Sequence, residues 1–303
     1  AVGRWTRGGG GGVSFLAVSE AGDALLGGNS SGDVTWWSPT TGEATPVAAG
    51  CANVAKAGVV LGDRALASQI DCPSPMLQID RRSGALTRSR SLPALDGELP
   101  TLHARVLERW GDALVIAGYS PRVDVLSPDR AVHVDGWTVA ASPARDLWLL
   151  DLDGVVKAVR PDGRVEALAS APGAADLAAL GDGVVVIAGR AVTALDASGG
   201  VRWTWEAPGD LTRVDAGGGR VVVGDADGQI HVLSDGGALL ATARGHRRRI
   251  SEVRVVGDVA YTASWDATVR RWGLGAAEAP REALIALAGA WGLSVDEAQR
   301  APP

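Results

Sequence analysis

The chain is short of several things that whole classes of protein need. It has two cysteines, Cys51 and Cys72, too few for a disulfide framework, and in their apolar context both read as buried free thiols. Its four histidines, at 103, 133, 231 and 246, have no paired spacing, so no metal site is expected. No apolar run approaches the roughly eighteen residues of a membrane-spanning helix. Positive charge is outnumbered, 29 Lys and Arg against 35 Asp and Glu. The formal net charge is −6 and the pI about 5.3, which argues against a nucleic-acid or anionic-membrane binder. The glycine run at 8–12 is not followed by the Lys-Ser/Thr of a phosphate loop, and no zinc-protease helix or nucleophile elbow is expected. Asp151/Asp153 and Asp225/Asp227 lack a fuller calcium ligand set and read as turn residues. No catalytic residue, metal or cofactor is therefore assigned. The chain starts at Ala1 with neither Met nor a signal-peptide pattern, as expected of a domain cut from a larger multidomain chain or one that has lost a leader.

What is present is lopsided. Eleven Trp stand against two Tyr and one Phe, among 41 glycines and 46% hydrophobic residues. Tryptophan at strand ends, with many tight turns, suits a repeated β architecture. High Ala, Gly and Arg with little Lys suggest a bacterial source.

A repeat is visible in two independent markers. An apolar-x-x-bulky strand ending recurs at Trp37, Ile79, Leu126, Val159, Leu195, Leu233 and Trp272, with spacings of 42, 47, 33, 36, 38 and 39 residues. A Gly-Asp-like hairpin turn recurs in step, from Gly22-Asp23 to Gly257-Asp258, where a tight hairpin favours such residues. Seven units follow, covering 13–50, 51–100, 101–134, 135–172, 173–208, 209–244 and 245–275.

The most regular unit is 245–272, GHRRRISEVRVVGDVAYTASWDATVRRW. With Gly245-His246 at its start, Trp265-Asp266 in a tight turn and Trp272 closing the third strand, it resembles a WD repeat. The resemblance implies an all-β, seven-bladed β-propeller over 1–275, with residues 1–6 as the closing strand of the last blade. It also implies a hydrogen-bonded structural tetrad of His246, Thr262 (or Ser264), Asp266 and Trp272. Phrases in the fifth and sixth units, such as Gly200-Val201-Arg202-Trp203, look more like quinoprotein-type repeats. After Leu274 the period becomes helical: Leu284, Leu287, Ala288 and Trp291 share a stripe, so 276–303 reads as a short C-terminal helical tail or linker.

Resemblance to WD propellers further implies a non-catalytic, cytoplasmic scaffold or sensor module that docks a protein or peptide partner on the face of its turns. On that face Trp265 beside Arg247, Arg248 and Arg249 has the composition of an interface hot spot. The residues aligned with Trp265 in other blades are Ser30, Cys72, Tyr119, Leu152 and Ala226, of which Tyr119 adds an aromatic. The alternative is a small-molecule-binding or enzymatic, quinoprotein-like propeller that uses its axial channel. Converging polar groups and perturbed carboxylates in the channel mark that alternative, while exposed aromatic and Arg residues on the loops mark the docking module.

Overall fold

A computed structural model of the chain describes residues 3–6, 11–47, 54–70, 72, 74, 76–89, 104–118, 121–127, 130–142 and 146–275. These residues form seven four-stranded antiparallel sheets and no helix long and apolar enough to cross a membrane. The molecule is an all-β, seven-bladed propeller. The stripe expected over 276–303 lies outside the described residues, as do Cys51, His103 and Tyr119.

The inner strands are β2 (Val13–Val18), β6 (Ala55–Leu61), β10 (Val106–Trp110), β14 (Thr138–Ala141), β18 (Ala174–Leu180), β22 (Leu211–Gly217) and β26 (Ile250–Val256). Each contacts the next, and β26 returns to β2, so they close a ring around an axial channel. Closure is completed by β1 (Gly3–Thr6). It pairs antiparallel with β28 (Thr268–Gly273) as the outer strand of the last blade, with Thr6 opposite Thr268. Joining the two ends of the chain in one sheet removes the open edge that would otherwise break the ring.

Burial follows position in the blade. Second strands are covered on both faces and read as continuous apolar runs, as in β15 (Leu147–Leu150, LWLL) and β19 (Gly183–Ala188, GVVVIA), the pattern of a doubly buried strand. Outer strands such as β21 (Val201–Glu206) and β25 (Leu239–Arg244) are largely exposed. The core lies between blades. Trp148, Leu150 and Val156 of the fourth pack on Leu177, Val184 and Val186 of the fifth, and Val13, Leu16 and Trp37 of the first on Tyr261 and Val269 of the seventh. No blade buries its own apolar faces, so the ring folds as a unit.

Hydrogen bonds also cross between blades near the start of the inner strands. The pairing slips by one residue at Ser14, Thr212 and Ser251, and each bulged hydroxyl donates to the first carbonyl of the next inner strand. Thr212 reaches Ile250 O at 2.8 Å, Ser251 reaches Val13 O at 2.6 Å, and Ser14 reaches Ala55 O. In the second blade Ser68, on β7 (Arg64–Gln69), makes the equivalent tie to Ala104 O at 2.6 Å.

One expectation fails. Cys72 is disulfide-bonded in a chain whose one other cysteine is Cys51, so it is not a free thiol. Two cysteines are too few for a framework but enough for one bridge, and apolar flanks do not separate a thiol from a half-cystine.

Candidate functional site

The turn that carries Trp265 is built from the buried polar chain beneath it. Trp272 Nε1 donates to Thr262 Oγ1 at 2.8 Å, and Thr262 Oγ1 lies 2.7 Å from His246 Nε2. His246 Nδ1 faces the Asp266 carboxylate at 3.2 Å and Thr268 Oγ1 at 2.9 Å. An ionised carboxylate can only accept, which assigns the proton to Nδ1 and makes Nε2 the acceptor of the Thr262 hydroxyl. His246, Thr262, Asp266 and Trp272 thus form one chain with a single donor direction. The Ser264 hydroxyl is outside this side-chain relay: it donates to Arg248 O at 3.0 Å and accepts from Asp266 N at 3.1 Å.

The same turn clamps the arginine segment. Asp266 accepts from Arg247 N at 2.9 Å and Thr268 N at 3.0 Å, while Trp265 N donates to Arg249 O at 3.1 Å. Residues 247–249 are therefore held against the turn by their backbone while their side chains are exposed. Trp265 is 55% exposed. The Arg249 guanidinium carbon sits 5.6 Å from its ring centroid, within cation–π range. Partial burial and the nearby Arg213 charge hold the Arg249 pKa below its ordinary value.

Among the aligned turn positions, Leu152 is 59% exposed and Ser30 and Ala226 are also exposed, whereas Cys72 is buried and disulfide-bonded. The described part of the ring is Trp265 and Leu152 with small residues between. The aspartates of Asp151/Asp153 and Asp225/Asp227 act within their turns: Asp151 Oδ1 accepts from Asp153 N and Val155 N, and Asp225 Oδ1 from Asp227 N and Gln229 N. Among the described residues no group of three or more His, Cys, Asp or Glu is placed to hold a metal ion. The letters Gly28-Asn29-Ser30-Ser31-Gly32 do spell G-x-S-x-G, but they join two strands, β3 (Leu25–Asn29) and β4 (Val34–Trp37). The strand-to-helix context of a nucleophile elbow is missing there.

The axial channel is the feature that strand patterning did not reveal. It is a cavity of about 420 Å³ lined by all seven inner strands. Lys56, Arg105 and Arg213 line it near the end where these strands begin, on the side of the Trp265 turn. Asp215, Glu108 and Arg254 lie further along the strands. Arg254 is the hub of the deeper layer: Nε donates to Leu16 O at 3.1 Å, Nη1 lies 3.3 Å from Glu108 Oε1, and Glu252 Oε1 is 3.8 Å from Nε. Two aspartates serve as ties between blades. Asp176 Oδ2 accepts from Val214 N at 3.1 Å and Asp215 Oδ2 from Val255 N at 2.7 Å. Desolvation raises the pKa of Asp176 and Glu252 and pushes Asp215 up to about 7, against the opposing pull of Arg254. The carboxylates around Arg254 raise its pKa in turn, outweighing desolvation. A sequence signal did exist. In β22 and β26, Arg213/Asp215 and Glu252/Arg254 put charge on alternate residues, flanking the buried Val214 and Val253.

No protein-family model matches the sequence, and no curated protein matches it. Solved structures do. The WD40 β-propeller domain of Doa1 superposes with a TM-score of 0.71 at 14% identity, over 89% of this chain and 95% of that one. The computationally designed Ika8 protein superposes with a TM-score of 0.63 at 16% identity, over 89% of this chain and 98% of that one. At such identities the likeness is one of fold.

Proposed function

We propose that the chain is a non-catalytic, WD-type interaction module that docks a protein or peptide on the face bearing Trp265. The observation that carries this reading is the exposed Trp265 ring with Arg249 over it, on a turn pinned by Asp266. A rigid exposed indole flanked by guanidinium groups supplies stacking and bidentate carboxylate binding at small entropic cost, the usual make-up of a hot spot. The partner this chemistry fits is an acidic or mixed-charge segment. The bacterial source suggested by composition is part of the same reading. A disulfide at Cys72 favours an oxidising compartment over the cytoplasm.

The test is Trp265→Ala combined with Arg247→Glu and Arg249→Glu, used as bait beside the wild-type chain. The variant should keep its far-UV spectrum and lose the main captured partner. Equal capture by a folded triple variant would remove the site from this face.

A second reading is a propeller whose ligand enters the axial channel. It is favoured by the converging charged side chains there and by the raised pKa of Asp215, the mark set above for an enzymatic or small-molecule site.

A further inference from the structure

The charged side chains of the channel divide into those the fold uses and those it does not. Asp176 and Asp215 bind backbone N–H groups of the next blade. Glu108 and Glu252 surround Arg254. These five explain themselves as ties and counter-charges.

Lys56 does not. It occupies the bulge of β6, between the pairs Ala55–Gln69 and Ala57–Ser68, the place where the first, sixth and seventh blades carry a hydroxyl that ties to the next strand. In this blade Ser68 supplies the tie to Ala104 O, so the bulge position is released from that duty. A lysine there is neither required nor rewarded by the fold. No hydrogen bond or ion pair holds its ammonium among the described residues, although it is half buried. Burial lowers its pKa, and so do the charges of Arg105 and Arg213, which are near enough to repel it.

Each arginine has a neighbour that orients it. The Arg105 guanidinium carbon lies 3.9 Å from the centroid of the Trp137 ring, and Arg213 Nη1 donates to Thr212 O at 2.8 Å. Three cations gathered around one cavity raise the energy of the free protein, since like charges at close range in a partly desolvated site repel strongly. The carboxylates near them are already engaged, Asp176 by Val214 N and Glu252 by Arg254.

We propose that Lys56, Arg105 and Arg213 form an anion-binding site at the mouth of the axial channel, taking the phosphate or carboxylate groups of a small molecule. A cavity of about 420 Å³ suits a metabolite-sized anion and excludes a folded partner. A planar guanidinium matches an oxyanion with two parallel hydrogen bonds, and a flexible ammonium adds a point charge. The site goes beyond the docking surface at Trp265 and does not depend on it.

The experiment is isothermal titration and thermal unfolding of the full chain with pyrophosphate and with citrate, at fixed ionic strength against sodium chloride. The wild-type chain should bind at least one of the two saturably and melt at a higher temperature when it does. Lys56→Gln and Arg213→Gln should each weaken binding about tenfold or more, the loss expected of one charge-assisted hydrogen bond. Lys56→Arg should retain it. Without any anion Lys56→Gln should melt higher than wild type, because it relieves the repulsion, so misfolding cannot stand in for the result. The variant of Trp265, Arg247 and Arg249 should bind the anion as wild type does, which separates this site from the docking face. Absence of saturable binding by either probe, or binding unchanged in Lys56→Gln and Arg213→Gln, would overturn the proposal.

Discussion

Thr262→Val tests whether the buried polar chain of the last blade holds it in register. The change is nearly isosteric, so it opens little cavity, and Thr262 is fully buried. Its hydroxyl links two groups: Trp272 Nε1 donates to it at 2.8 Å and His246 Nε2 lies 2.7 Å away. Valine leaves the indole N–H and the imidazole nitrogen without partners in a dry setting. Each orphaned group costs about 1–3 kcal/mol, and the added methyl returns about 1. The expected loss is therefore about 1–5 kcal/mol, against the roughly 5–15 kcal/mol typical of a folded domain. Urea unfolding followed by far-UV circular dichroism measures it, with an unchanged slope to show that the unfolded state is the same. A double-mutant cycle with Trp272→Phe isolates the pair. In that background the cost of Thr262→Val should shrink by about 1 kcal/mol or more, since one orphan has already been removed. A loss under about 0.5 kcal/mol with no coupling would refute the reasoning. The first blade supplies a natural contrast. Gly27 pairs with Leu16 and Thr35 as Thr262 pairs with Val253 and Arg270, and the buried Trp37 Nε1 has no hydrogen-bond partner among the described residues. Trp37 closes over the glycine so tightly that a Cβ would lie 2.4 Å from its Cζ3. There, packing stands in for the hydrogen bond.

Other expectations follow from single features. With its pKa raised to about 7, Asp215 binds its proton more tightly folded than unfolded, so stability should fall as pH rises from about 4 to 7 and level off above. Asp215→Asn should remove up to about 4 kcal/mol of that slope, less to the extent that water enters the channel, as read from urea midpoints across pH. Ala267 holds a positive φ of 64° where the matching turn residue Gly228 has 83°, so Ala267→Gly should raise stability by up to about 1 kcal/mol in thermal melts. Ser251→Ala should cost about 1–2 kcal/mol by leaving Val13 O without its tie to the last blade. In denaturant without reductant, Cys72 should fail to react with a thiol reagent, and a reactive Cys72 would contradict the disulfide.

The propeller was legible because its signals are local and repeated. The closing residues from Trp37 to Trp272 end or nearly end the third strands, and Gly257 occupies the hairpin between β26 and β27 (Val259–Ser264) with φ of 55°. The pairing of β1 with β28 followed from counting strands, since the last blade lacked an outer one. What escaped had only a faint local marker, the alternate charges of β22 and β26. The channel charges come from five different blades and meet only once the ring closes. Asp215 finds the backbone of Val255 forty residues away, and nothing in its own strand announces that partner. The sequence left Thr262 and Ser264 as alternatives because both lie on β27. Their opposite fates follow from where each side chain points, towards His246 or towards Arg248 O.

The buried polar groups of this ring separate structure from function by whether the fold satisfies them. His246, Asp266, Ser251 and Asp176 each have a partner that explains their presence, and exchanging any of them should first register as lost stability. Two features are not explained in this way. Trp265 holds a large apolar ring in solvent on a turn that smaller residues form in other blades, and Lys56 brings a charge to a place where a hydroxyl serves elsewhere. Both lie at the same end of the inner strands, one on the rim and one inside the mouth. Natural sequences keep locally unfavourable choices mainly where function compensates them. That end of the propeller is therefore where its ligands should be sought, and removing either residue should leave the fold as stable as before or more so.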